Sequence, residues 1–363
     1  MSTQPCSEFS PTRRGLLRGG AFGGLGLSLF GGPTVIAAPA AASAADGFGP
    51  LLPPNQDGLQ LPAGFSSRIV AVSNQVVPGT SFVWHTDPDG GATFATPDGG
   101  WVYVSNAERL AGGTNAIRFA QNGSIQSAYR ILNNTLANCA GGPTPWGRWL
   151  SCEETPFGRV YECDPFTPNS QGVARPAMGV FQHEAAAVDP VGRAVYLTED
   201  REDGLLYRFR PTNYPSLSSG VLEACQVLDP QGQGPIAPGQ ERPVVWFPVP
   251  DPTVQFFIPT RFQVPQATRF NGGEGCWYEG GLIHFTTKGN NRVWKLDPAS
   301  QRLSIVYDLA TSADPQLSGV DNVFVAPGGD VFVAEDGGNM EIVALTLSGA
   351  VRPVVRGVGT SGS

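Results

Sequence analysis

Apolar and polar positions alternate along this chain in short bursts, and one burst recurs. A glycine turn leads into an alternating apolar strand that ends in charge. Gly100 opens a burst ending at Glu108, and Gly147 one ending at Glu153 and Glu154. Gly192 leads to Glu199 and Asp200, Gly281 to Lys288, and Gly329 to Glu335 and Asp336. The spacings are 47, 45, 89 and 48 residues. The long interval is close to two periods, which places a degenerate copy near Val244–Pro248 and makes six units. Period-two alternation bounded by turns is a strand signal. A repeat of about 45 residues is a propeller signal. The WD-type and kelch motifs are absent. Residues 46–363 are therefore expected to form one all-β domain, a six-bladed β-propeller.

Blade one is expected over about Phe65–Arg118, with Asp87–Gly91 as a turn. The second covers Ala128–Glu162 and the third Gly179–Pro211. The fourth lies within Pro211–Pro265, where proline confines strands to edges and loops. The fifth and sixth are Gly275–Pro298 and Val320–Leu347. The Pro- and Leu-rich arm Asp46–Pro62 can supply a strand that closes the ring against the C-terminal blade.

Blades ring a central channel, so equivalent strand ends converge at one mouth. Here those ends carry Glu108, Glu153, Glu154, Glu199, Asp200, Glu335 and Asp336. Converging carboxylates need cations or protons, which predicts a polymetal site at the mouth. The plainer reading is solvated turn residues. Cys139 sits before Ala140-Gly141-Gly142, read as a loop ahead of an inner strand. It can be a soft metal ligand, a nucleophile or a small buried residue. Glu184 reads as a ligand, and His183 as a ligand, an orienting partner or packing. Glu274 stands between glycines. Asp321 and Asn322 offer oxygens suited to calcium. Lys288 falls where other repeats place acids, and can neutralise them or hold an anionic substrate. His85 and His284 read as packing residues.

High glycine and proline with only 15% charged residues suit tight turns between short strands. Before residue 46, Arg13-Arg14 precede a weakly apolar run, and Ala42-Ser43-Ala44 offers a cleavage site. Residues 1–45 read as a twin-arginine signal peptide, with a membrane anchor as the alternative. That predicts a periplasmic or extracellular protein delivered by the twin-arginine export machinery, with no stable membrane span after processing. Cleavage removes Glu8, Arg13, Arg14 and Arg18 and takes the net charge from −8 to −10. So acidic a body disfavours nucleic acid and favours cations. Cys139, Cys152, Cys163, Cys225 and Cys276 remain, so at least one thiol is free. The last four read as small buried residues, and the chain reads as a monomer.

Four stretches resemble the PhoX-type alkaline phosphatases. They are Asn138–Glu154 (NCAGGPTPWGRWLSCEE), His183–Asp200 (HEAAAVDPVGRAVYLTED), Glu274–Trp294 and Asp321–Gly338. The resemblance implies a six-bladed propeller exported by the twin-arginine route. It also implies iron and calcium (Fe3+, Ca2+) in the channel mouth and hydrolysis of phosphate monoesters, a small phosphorylated substrate. By it, Cys139, Glu184, Glu274, Asp321, Asn322, Glu335 and one of Glu153 and Glu154 are metal ligands. Lys288 resembles the lysine that contacts the phosphoryl group.

The chain departs from the family pattern twice. Asn271-Gly272-Gly273 stands where the family has an arginine closely preceding the glutamate matched by Glu274. Asn106-Ala107-Glu108 stands where it commonly has Asn-His-Glu. Two other classes share the channel carboxylates: a calcium-dependent lactonase-like propeller hydrolase and a catalytically silent metal-binding propeller. A lactonase site gives no reason for Cys139.

Overall fold

In a computed structural model, the structure describes residues 47–337 and 339–358. The expected signal peptide lies outside them. Among the described residues no helix is long and apolar enough to cross a membrane. Helical structure is limited to 3-10 turns, such as Pro176–Met178 and Thr260–Phe262.

After the two-residue β1 (Leu59–Gln60), the strands fall into antiparallel meanders of four. The first comprises β2 (Pro88–Ala95), β3 (Trp101–Ala107), β4 (Gly112–Phe119) and β5 (Ile125–Thr135). In the second are β6 (Asn138–Pro143), β7 (Trp149–Glu153), β8 (Val160–Cys163) and β9 (Val173–Ala174). The third consists of β10 (His183–Asp189), β11 (Ala194–Glu199), β12 (Leu206–Asn213) and β13 (Ser216–Val227). A lone β14 (Glu241–Pro248) follows. The fourth is made of β15 (Gly273–Glu279), β16 (Leu282–Thr287), β17 (Arg292–Asp297) and β18 (Arg302–Asp308). β19 (Val320–Val325), β20 (Val331–Glu335), β21 (Glu341–Leu345) and β22 (Val351–Gly357) complete the fifth.

The recurring sequence burst is the second strand of each meander: β3, β7, β11, β16 and β20. Gly147, Gly281 and Gly329 lead into three of them at φ of 77°, 88° and 94°, a region costly for a residue with a Cβ. The first strands β2, β6, β10, β15 and β19 pack side by side in that order. Neighbouring meanders share apolar cores between them. Val102, Ile131 and Trp149 fill the space between the first and second, and Tyr196, Phe285 and Trp294 that between the third and fourth. Radial repetition of this kind makes the fold all-β and propeller-like.

The described residues form five four-stranded units, which corrects the expectation of six. The stretch expected to hold the fourth blade gives β12 and β13 to the third unit. Its degenerate copy is β14 alone, which pairs with β13 on one side and β18 on the other. That bridge joins the third and fourth units into one nine-stranded sheet. Pro243, Pro248, Pro250 and Pro252 lack the N–H groups that a further ladder needs. The expected arm does close on the C-terminal unit, with Leu59 opposite Gly357 and Gln60 opposite Arg356.

Among the described residues no sixth unit stands between the first and last sheets, and each of these keeps a face that no neighbouring meander covers. On the first sheet, Ile117 and Phe119 are covered by Val77 and Trp84 from the irregular segment that precedes β2. On the last sheet, Phe48 packs against Phe332 and Val355.

Candidate metal centre in the channel

The second residue of every first strand is a metal-ligating type: Asp89, Cys139, Glu184, Glu274 and Asp321. Immediately after each, the ladder slips. The shifts lie between Pro88 and Gly91, Asn138 and Gly141, His183 and Ala186, Gly273 and Cys276, and Val320 and Val323. A bulge bends its strand and re-aims a side chain, so five repeats of one defect bring five side chains to one place. Strands this close need small residues. A Cβ on Gly90 would press on the Cα of Ala140, and one on Gly275 on the backbone of Asn322 and Val323.

The residue just past each second strand forms a second tier: Glu108, Glu154, Asp200, Lys288 and Asp336. Both tiers line one cavity of 1240 Å³. Asp89, Glu108 and Cys139 offer ligand atoms within 4.8 Å of one another. The sets Cys139, Glu154, Glu184 and Glu184, Glu274, Asp321 do the same, so the three clusters interlock through Cys139 and Glu184. Cys139 Sγ donates to Glu184 Oε1 at 3.2 Å. Asn322 Nδ2 donates to Asp321 Oδ1 at 3.0 Å.

Three of the second strands also brace a neighbouring first strand. Asn106 Nδ2 donates to the carbonyls of Cys139 and Ala140 at 2.9 and 2.8 Å. Thr198 Oγ1 donates to the Glu274 carbonyl and Thr286 Oγ1 to that of Asp321. All three sit two residues before a second-tier side chain, so the repeat that supplies one ligand also fixes the backbone of another.

Burial, reinforced by the neighbouring carboxylates, raises proton affinity throughout the cluster. It pushes Glu154 up to about 8, helped by Asp200 and Glu108. Asp321 rises to about 7, with Asp89 adding to burial. Glu274 rises to about 10, with Asp321 and Asp200 adding to burial. Glu184 goes well above the carboxylate range through burial, Glu274 and Asp321. The Cys139 thiol is pushed well up by burial and then by Glu184. Lys288 loses some basicity to burial, but its bond to Asp336 and the charges of Glu274 and Asp321 outweigh this and raise it. Its Nζ pairs with Asp336 and stands 3.9 Å from Glu274 Oε1 and 3.8 Å from Asp321 Oδ2. Glu274 Oε1 is buried and makes no hydrogen bond.

Interlocked acids with an orphaned oxygen and a thiol fit bound cations: carboxylates for hard ions, thiolate for a transition metal. Metal-free protein should therefore grow less stable as pH rises. In the folded state these groups hold protons that the unfolded chain releases near 3.8 for Asp321 and 4.5 for the glutamates. Their contribution is full below those values and is lost as pH climbs through about 7, 8 and 10 for Asp321, Glu154 and Glu274. Thermal midpoints between about pH 5 and 9, with and without calcium, check this. A flat metal-free profile, or no relief from added ion, would count against the site.

Not every sequence candidate joins the cluster. Within each pair of acids the second reaches the channel and the first turns to the backbone, as alternation along a strand requires. Glu153 accepts from the amides of Leu136 and Arg159 at 2.9 and 3.1 Å. Glu335 takes those of Ser318 and Glu341 at 2.7 and 3.3 Å, although it borders the cavity. Glu199 accepts from the Tyr207 hydroxyl at 2.8 Å and pairs with Arg261 at 3.4 Å. Glu153, Glu199 and Glu335 thus make bracing contacts in this structure, and Glu154 is the member of its pair that faces the channel.

His183 is wholly buried, stacked on Phe181 at 3.6 Å with Nε2 against the Gly179 carbonyl. Burial lowers it to about 3. His85 and His284 are also buried. Cys152, Cys163, Cys225 and Cys276 are buried free thiols. The loop expected around Cys139 is strand β6. Asp89 was hidden in an apparent Asp-Pro-Asp-Gly-Gly turn. Its signal is a metal-ligating residue followed by two small residues, the pattern of Cys139-Ala140-Gly141 and Glu184-Ala185-Ala186. Where the resemblance implies an arginine, Gly272 has φ 66° and its Cβ position lies beside Asp200 Oδ1 and Lys288 Cβ. Arg269 does not substitute, since it donates to the carbonyls of Asp203 and Arg261.

A family model described as alkaline phosphatase PhoX matches residues 88–156 and 155–363. No curated protein matches the chain. Among solved structures, Pseudomonas fluorescens PhoX in complex with vanadate, a transition state analogue, is 16% identical with a TM-score of 0.69. The match covers 85% of this chain and 88% of that one. The periplasmic gluconolactonase PpgL of Pseudomonas aeruginosa is 13% identical over 78% of this chain and 88% of that one, at TM-score 0.40. A gluconolactonase from Xanthomonas campestris is 13% identical over 87% and 89%, at TM-score 0.42. Together the two matched segments run from residue 88 to the end and include every side chain of the channel cluster, and this chain belongs to the PhoX alkaline phosphatase family.

Proposed function

We propose that the protein is an exported, metal-dependent phosphatase that hydrolyses phosphate monoesters in the channel mouth. The observation that carries this reading is the interlocked thiol-and-carboxylate cluster with Lys288 at its edge. Asp89, Glu108 and Cys139 would hold one cation, Cys139, Glu154 and Glu184 a second, and Glu184, Glu274 and Asp321 a third. Iron belongs beside Cys139, because thiolate suits a transition metal, and calcium among the oxygens, with Asn322 available to it. Bound there, the ions supply positive charge for phosphoryl oxygens and a nucleophile at mild pH.

The chain's own part is positioning and neutralisation, which phosphoryl transfer needs more than covalent chemistry. Lys288 Nζ, half-exposed above Glu274 and Asp321, meets the phosphoryl group, and Asp336 yields it when substrate arrives. Asn106, Thr198 and Thr286 keep the ligand backbones in register. Metal analysis and phosphate-release assays on protein purified after native export test the reading. Iron and calcium with monoester turnover are expected, and metal-loaded protein inert towards every monoester would overturn it.

Export follows from Arg13-Arg14 and the apolar run behind them. Replacing both arginines by lysine should hold the precursor in the cytosol, and unchanged export would exclude the twin-arginine route.

A further inference from the structure

The cavity is far larger than a phosphoryl group, and its walls differ in chemistry. At 1240 Å³ it exceeds the roughly 300–1,000 Å³ that houses drug-sized ligands. One end is the donor cluster. The other is the outer face of the β19–β22 sheet, the face a sixth unit would have covered. Phe324 lies opposite Phe332, while Ala334 lies opposite Ile342 and Ile342 opposite Val355. Residues directly opposite share a face, so these side chains make one apolar wall, and all five line the cavity. Phe324 and Ile342 remain 45% and 39% exposed. Phe324 is three residues from Asp321 on the same strand, and Trp277, three residues beyond Glu274, meets it edge-on at 4.9 Å. Wall and donor cluster are therefore parts of one cavity, with Lys288 at the charged end.

We infer that the preferred substrates are phosphate monoesters of large apolar alcohols, with the phosphoryl group at Lys288 and the alcohol lying along the Phe324–Ile342 wall. The inference rests on the phosphatase reading and adds the leaving group to it. Hydrolysis breaks the phosphorus–oxygen bond with water as co-reactant, releasing inorganic phosphate and the alcohol, which takes up the proton. An apolar alcohol gains from the wall by leaving water. A small polar one, such as glycerol, gains nothing there.

The test is a series of n-alkyl phosphates from methyl to decyl, assayed on metal-loaded protein. Each added methylene should raise kcat/KM by up to about fourfold until the wall is filled. The double variant Phe324→Ser with Ile342→Ser should flatten that slope. Calorimetric binding of methyl and decyl phosphonates gives a second reading without turnover. No hydrolysis of any ester, with the decyl phosphonate still bound more tightly, would sink the phosphatase reading and leave the wall's ligand standing. A flat series in the unaltered protein, with equal phosphonate affinities, would overturn the inference. If the double variant also changed the oligomeric state, the face would belong to a second copy of the chain.

Discussion

Lys288→Ala should keep its metals and lose phosphate-monoester turnover. Among the described residues the amine is the cationic side chain that lines the cavity. Gly272 stands where the resemblance to the family implies an arginine, so on the proposed reading Lys288 would meet the phosphoryl charge without a second fork of donors. Removing a contact made to developing charge costs around 10²–10³ in rate, and here the upper part of that range is expected. Nζ stands 3.9 and 3.8 Å from Glu274 and Asp321, beyond hydrogen-bond reach. Its loss should leave ion content unchanged by elemental analysis. Lys288→Arg restores charge but not shape and should recover only part of the rate. Full activity in Lys288→Ala would refute the assignment.

Cys139→Ser should lower transition-metal content and activity together. A hydroxyl is a poor replacement for a thiolate towards a transition metal. Cys139 belongs to two of the three ligand sets, so one substitution weakens two positions. Loss of an outer-sphere partner alone costs about 10–100-fold in metal affinity, which sets a floor for losing a ligand. The set Glu184, Glu274 and Asp321 does not include Cys139, so calcium binding should survive. A variant with full metal content and no turnover would make Cys139 a nucleophile instead.

Much of this arrangement was legible in the chain, for a physical reason. Second strands alternate cleanly because one face packs on a neighbouring sheet, so β3, β7, β11, β16 and β20 announce themselves. First strands do not. They crowd the channel and are built from glycine and alanine, so β2 and β6 imitate turns; this hid Asp89 and put Cys139 in a loop. Outer strands such as β5 and β13 alternate weakly, which made the expected units too short at their C-terminal ends. Which acid of each pair faces the channel depends on strand alternation relative to the neighbouring sheet, and Glu153-Glu154 carries no trace of that in its letters. The sixth unit was inferred from spacing alone, and Val244–Pro248 is one strand serving two neighbours.

The pairing of β1 with β22 sets the order in which the molecule can be completed. Leu59 meets Gly357 about 300 residues later in the chain, so this ladder forms only after residue 357 has been made. Closing so long a loop is entropically costly, and distant pairings of this kind slow folding. The seam is two residues long and lies on a sheet edge. The segment carrying Leu59 and Gln60 thus fixes when the outer edge of the fifth sheet, the sheet that carries Asp321, is paired.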